Sequence, residues 1–194
     1  MALFHRHHFD SMNDLLVDQL EDLYDAEKRQ CDTHRKLAEK SETPELAAMF
    51  RQQDSIARTH VTRLESALRE LGREPKAETC DAMKGLVKEA EHLLGADGDP
   101  SVRDAALIAS AQRIMHYEMA GYGTARTFAE ELGHQQIAQL MQQSLDDEER
   151  ADKQLTDLAM RRVNPNAAGG TAGRWDDTQG RPFDKPASDT YPKH

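Results

Sequence analysis

Between residues 11 and 163 apolar side chains recur at i, i+3, i+4 and i+7 in four long runs, and this repeat constrains the fold more than any other feature of the chain. The first run reads Leu16, Leu20, Leu23, Glu27, Gln30/Cys31, His34, Leu37, and the second Leu46, Met49/Phe50, Gln53, Ile56/Ala57, His60, Leu64, Leu68, Leu71. The third reads Leu107, Ala111, Ile114, Glu118, Gly121/Tyr122, Ala125, Phe128, Leu132, and the fourth Ile137, Leu140/Met141, Ser144, Glu148, Ala151/Asp152, Leu155, Leu158/Ala159. A stripe of this period buries one face of a helix, so four such stripes must be packed against one another.

Start and stop signals bound each run. Ser11 with Asp14 resembles a capping box, and the first helix then runs to about Ala38. Thr43-Pro44-Glu45 offers a cap, a proline at the first helical position and an early acid, and the second helix stops at Gly72. Ser101 with Asp104 opens the third long helix, which ends at Gly133; the fourth runs from about His134 to Val163, where Asn164-Pro165 breaks it. Two hairpins with short turns are thus joined by a long connection, 73–102, which holds a shorter amphipathic helix from Thr79-Cys80-Asp81 to Gly95. The pattern predicts an all-α fold: a four-helix bundle with a short helix in a long crossover between long helices two and three.

Residues 1–11 are read as an N-terminal segment and 12–163 as the bundle. From Asn164 to His194 the chain has four Pro, four Gly and almost no aliphatic residues, which predicts a disordered tail because so little surface can be buried to offset ordering entropy. Lys and Arg number 25 against 35 Asp and Glu, a net charge of −10, which argues against nucleic acid as a partner. Two cysteines without a CxxC spacing give no thiolate zinc motif. No apolar run reaches membrane-spanning length and the first residues lack a signal-peptide core, so the expectation is a soluble cytoplasmic protein with no membrane partner.

Each stripe is interrupted near its midpoint by a ligand-type side chain: Glu27, His60, Glu118 and Glu148. They fall about 15, 16, 16 and 14 residues into their helices, a spread of about 3 Å along the axis. Midpoints coincide whichever way the helices run, so this level does not decide the topology. A single Glu at a stripe's edge ordinarily snorkels or pairs with an Arg. Three carboxylates at one level repel strongly unless a cation lies among them, and oxygen and imidazole donors suit iron, manganese or zinc. Asp152, one turn beyond Glu148, is a further candidate, either as a ligand or as the group holding the second ring nitrogen of His60. His34, two turns from Glu27, reads as a satisfied core histidine. His116 points away from Glu118 toward another surface or a second subunit, and His5, His7 and His8 read as solvated. Tyr24, Tyr117 and Tyr122 read as core or interface fillers before redox relays.

LLVDQLEDLYDAEK at 15–28, RLE at 63–65, CDAMKGLVKEA at 80–90, RDAALIASAQRIMHYEMAGYGTA at 103–125 and LDDEERADKQLTDLA at 145–159 resemble the YciE/YciF-like branch of the ferritin-like superfamily, over about residues 12–163. The resemblance implies a stress-associated bacterial cytosolic bundle, homodimeric, with a dinuclear centre of carboxylates and histidine. Glu27, His116, Glu118, Glu148 and Asp152 match the family pattern; Gln53 and Ile56 stand where a His-x-x-Glu pair is usual, Met115 where Glu is, and His60 where Gln is more frequent. One iron or manganese ion held by Glu27, His60, Glu118 and Glu148 is therefore the expected form, with peroxide- or oxygen-linked metal oxidation as its chemistry. The alternative is a degenerate, metal-free bundle acting as a structural or interaction protein in the stress response.

Overall fold

The computed structural model of the protein describes residues 9–169. Its long helices are α1 (Met12–Lys40), α2 (Pro44–Glu70), α4 (Pro100–Glu131) and α5 (Gln135–Leu158), with α3 (Asp81–Leu94) in the connection. The expected caps form at α1, where the Ser11 hydroxyl accepts from the Asp14 N–H at 3.2 Å and donates back to the Asp14 carboxylate at 2.8 Å. Gly133 closes the α4–α5 turn at φ +79°, a conformation that L side chains rarely adopt.

Three ends differ from expectation. Helix α4 begins at Pro100 with Asp99 as its cap, not at Ser101: Asp99 accepts from the Ser101 N–H at 2.8 Å. That frees Asp104, which is fully buried and accepts from the backbone N–H groups of Glu42 and Thr43 at 2.9 and 2.7 Å. The Thr43 side chain makes no cap bond of its own, so the start of α2 is capped from another helix. At the far end, Asn164-Pro165 does not end the helical path. Helix α5 passes through a π-helical turn, Ala159–Val163, into α6 (Asn164–Ala167), where Pro165 occupies a first-turn position that needs no donor. The N-terminal histidines and the tail from residue 170 lie outside the described residues.

The direction of each helix follows from its neighbours. The first turns of α1 (Leu16, Leu20) share an apolar cluster with the last turns of α2 (Leu64, Leu68), the C-terminal part of α4 (Ala125, Ala129) and the start of α5 (Ile137, Met141). At the other end Leu37, Leu46 and Phe50 meet Leu107, Met115, Leu155 and Val163. Hence α1 and α5 run one way and α2 and α4 the other. The chain must therefore travel the length of the bundle between α2 and α4, about 40 Å for a helix of 27 residues. This is the crossover topology of a ferritin-like bundle.

Helix α3 straps the outside of α1 and α4 through a third cluster of Ala26, Cys80, Met83 and Ile114. Its start is pinned where Asp25, held by Arg29 at 2.6 Å, accepts from the Cys80 N–H at 2.9 Å. Helices α1 and α4 approach closely at Gly121, where a Cβ atom would stand 2.8 Å from a Leu23 methyl. The two large apolar clusters do not merge. A polar layer separates them, built from the residues that interrupt the stripes.

Candidate metal centre

Glu27, His60 and Glu118 are fully buried and Glu148 is 3% exposed, one from each long helix. Glu27, His60 and Glu148 each bring a ligand atom within 4.8 Å of the others. His60 Nδ1 lies 2.8 Å from Glu27 Oε1 and 3.6 Å from Glu148 Oε1. Tyr122, one turn after Glu118, donates its phenol proton to Glu27 Oε1 at 2.5 Å, and its ring stands edge-on to His60 at 5.5 Å. Glu118 completes the layer from α4, with both carboxyl oxygens lacking a hydrogen-bond partner. Glu27 Oε2, Glu148 Oε2 and Gln30 Nε2 are likewise buried and unpartnered.

Nearly all buried polar atoms in folded proteins are partnered, so this concentration of orphans in one layer is informative. Burial, followed by the charges of Glu27 and Glu148, pushes the Glu118 carboxyl well above the ordinary range. Burial and the Glu27 charge push Glu148 up to about 8, against the pull of His60. Burial and the Glu27 and Glu118 charges likewise raise the Tyr122 phenol. For His60, burial favours the neutral ring, but the charge and hydrogen bond of Glu27, together with Glu148, outweigh it and raise its pKa. Glu118, Glu148, Tyr122 and His60 are thus each biased toward cancelling negative charge. A cation among them would do the same while giving the orphan oxygens a partner.

Asp152 lies apart from this grouping. Its carboxylate accepts from Gln112 Nε2 at 2.8 Å and sits 3.3 Å from His116 Nε2, on the α4 side of α5. The expectation that Asp152 holds the second ring nitrogen of His60 is corrected: the carboxylate there is Asp147, its Oδ2 3.4 Å from Nε2. Arg63 Nη1 lies 2.8 Å from the same oxygen and Arg150 Nη1 2.9 Å from Asp147 Oδ1. His116 is exposed on α4, as its direction predicted.

His34 is buried and stacked on Phe50, but it is not satisfied as expected, since its Nδ1 has no partner. Burial lowers its pKa to about 4. The sequence marks Tyr122 only as a filler and does not single out Asp147. Tyr122 was on the stripe but indistinguishable from an apolar filler, and Asp147 stood in an acidic run whose members look alike. Both cysteines are free and buried, and no helix among the described residues is long and apolar enough to cross a membrane.

The model of a family described as a domain of unknown function, DUF892, matches residues 11–168. Protein YciF of Escherichia coli K12 is 36% identical over 158 residues, covering 81% of this chain and 95% of YciF. The crystal structure of that stress protein superposes with a TM-score of 0.77, covering 80% of this chain and 99% of the other at 36% identity. YcfI from Rhodopseudomonas palustris superposes at 0.75 with 34% identity, covering 79% and 98% of the two chains. A two-domain protein from Anabaena variabilis, with a DJ-1/ThiJ/PfpI-like and a ferritin-like domain, matches at 0.57 and 18% identity over 94% of this chain and 42% of its own, a likeness of fold alone.

Proposed function

The chain belongs to the DUF892 family, and from that footing we propose that it is a stress-associated ferritin-like protein that holds one iron or manganese ion at the centre of its bundle. The observation that carries the proposal is the buried layer itself: three carboxylates and an imidazole, one from each long helix, with unpartnered oxygens on Glu27, Glu118 and Glu148. Glu27, His60 through Nδ1 and Glu148 are the residues that would hold the ion; Glu118 stands outside that grouping of ligand atoms, but its buried carboxylate from α4 is the fourth donor of the proposal. Carboxylate and imidazole donors favour iron, manganese or zinc over softer metals. A bound iron or manganese ion with an open position supplies reactivity toward peroxide or oxygen. The chain's own part is to hold the donors still: Tyr122 orients Glu27, and the apolar clusters on either side keep bulk water out. A homodimer in the cytoplasm belongs to the same proposal, as what the family resemblance implies.

The test is metal content by mass spectrometry on untagged protein, before and after anaerobic loading with Fe(II) or Mn(II). About one ion per chain, lost in Glu118→Leu, supports the reading. No ion under any loading favours the alternative, a metal-free interaction bundle. One feature favours that alternative: His60 already pairs with Glu27 at 2.8 Å, so the layer has an internal means of cancelling charge.

A further inference from the structure

The two nitrogens of His60 face different surroundings. Nδ1 faces the buried layer, 2.8 Å from Glu27 and 3.6 Å from Glu148, whereas Nε2 faces Asp147 of α5 at 3.4 Å. Asp147 is not part of the buried grouping: its side chain is 20% exposed. Its position is fixed from both flanks, by Arg63 of α2 on Oδ2 at 2.8 Å and by Arg150 on Oδ1 at 2.9 Å. Arg63 is tied in turn to the buried Ser144 hydroxyl at 3.2 Å. A carboxylate anchored by two guanidiniums cannot turn away from the ring it faces without breaking at least one ion pair.

We propose that Asp147 is a positioning residue for the centre: it accepts the Nε2 proton of His60 and so presents Nδ1 as the nitrogen available to an ion between Glu27 and Glu148. The inference rests on the metal-binding reading. A histidine ligand whose remote N–H is held by a carboxylate has both its tautomer and its ring plane set in advance, and loss of such a partner typically weakens metal binding by about 10- to 100-fold. Arg63 has a second consequence. It shares Oδ2 with His60, so it limits how much electron density Asp147 passes to the ring while keeping the carboxylate in register.

The experiment uses the full chain, stripped with chelator, as wild type, Asp147→Ala and Asp147→Asn, with Co(II) as the probe. Circular dichroism first confirms that both variants remain helical. Asp147→Ala is expected to bind Co(II) about 10- to 100-fold more weakly than wild type. Asp147→Asn keeps an acceptor oxygen and recovers most of that loss. In parallel, long-range 15N–1H spectra of the imidazoles, with His60 assigned through His60→Gln, report which nitrogens carry protons before Co(II) is added. The expected result in wild type is a proton on each nitrogen, Nδ1 donating to Glu27 and Nε2 to Asp147, with the Nε2 signal changed in Asp147→Ala. Equal Co(II) affinity in wild type and Asp147→Ala overturns the proposal, as does an unchanged His60 spectrum. If wild type takes up no Co(II), the metal reading falls, and the imidazole spectra alone decide whether Asp147 positions the ring.

Discussion

Glu118 offers the sharpest test of the electrostatics, because replacing it with Gln keeps its shape and removes its titration. Burial and the Glu27 and Glu148 charges raise its pKa in the folded chelated protein, while the unfolded chain returns it to about 4.5. The folded state then holds a proton that the unfolded state has released. Its contribution to stability is fully present below the unfolded value and is lost as pH rises through the folded one. The slope is about 1.4 kcal/mol per pH unit wherever only the folded state is protonated, so stability drains steadily as pH rises from about 4.5 toward the raised folded value. For a domain of this size each kcal/mol lost lowers Tm by about 2–4 °C. Thermal melts of chelated wild type and Glu118→Gln at three pH values measure it. Glu148 and His60 titrate in both proteins, so the difference between the two curves reports Glu118 together with its coupling to Glu148. The wild-type Tm should fall more steeply with pH, leaving the variant the more stable protein at pH 7.5. Parallel curves would refute the argument, showing that Glu118 is solvated or paired. With Fe(II) or Mn(II) at about 100 times Kd, the reading predicts that wild type gains about 2.7 kcal/mol and the variant much less.

Two further perturbations address other parts of the molecule. His34 has its pKa lowered to about 4 by burial, so the unfolded state binds more protons and the stability present above about 6.5 drains away as pH falls toward 4. Between pH 7 and 5 this is about 2 kcal/mol, and acid melts of His34→Phe should show a flatter decline than wild type; an equal decline would contradict it. Asp104→Ala leaves the Glu42 and Thr43 N–H groups without their acceptor, which should cost about 2–4 kcal/mol in a denaturant melt and speed amide exchange at those two positions. Unchanged exchange there would show that the cap is not made.

What was legible in the sequence follows from periodicity. The four stripes and the layer that interrupts them depend only on spacing along each helix, and spacing is printed in the chain. What lies beside a stripe is not. Asp147 and Asp152 flank Glu148 on α5, and the sequence alone does not say which flank faces α2 and which faces α4; the packed bundle turns Asp147 to His60 and Asp152 to Gln112 and His116. Asp104 shows a second limit. Three residues after a serine it has the spacing of a local cap, yet its partners lie in another turn about sixty residues earlier. Tyr122 shows a third, since whether a buried phenol meets a carboxylate or a methyl group depends on the helix opposite.

The crossover divides the polar layer unequally between two pieces of chain that are each local in sequence. The hairpin of α1 and α2 carries Glu27 and His60, an acid already matched with a base, and can fold over them at little electrostatic cost. The hairpin of α4 and α5 carries Glu118 and Glu148, two acids with no base between them in the buried layer. The halves meet only when the hairpins dock, and at that step the second must take up protons or share a cation. Joining the hairpins is therefore coupled to charge: the surface between them closes over two acids from one side and a single acid–base pair from the other.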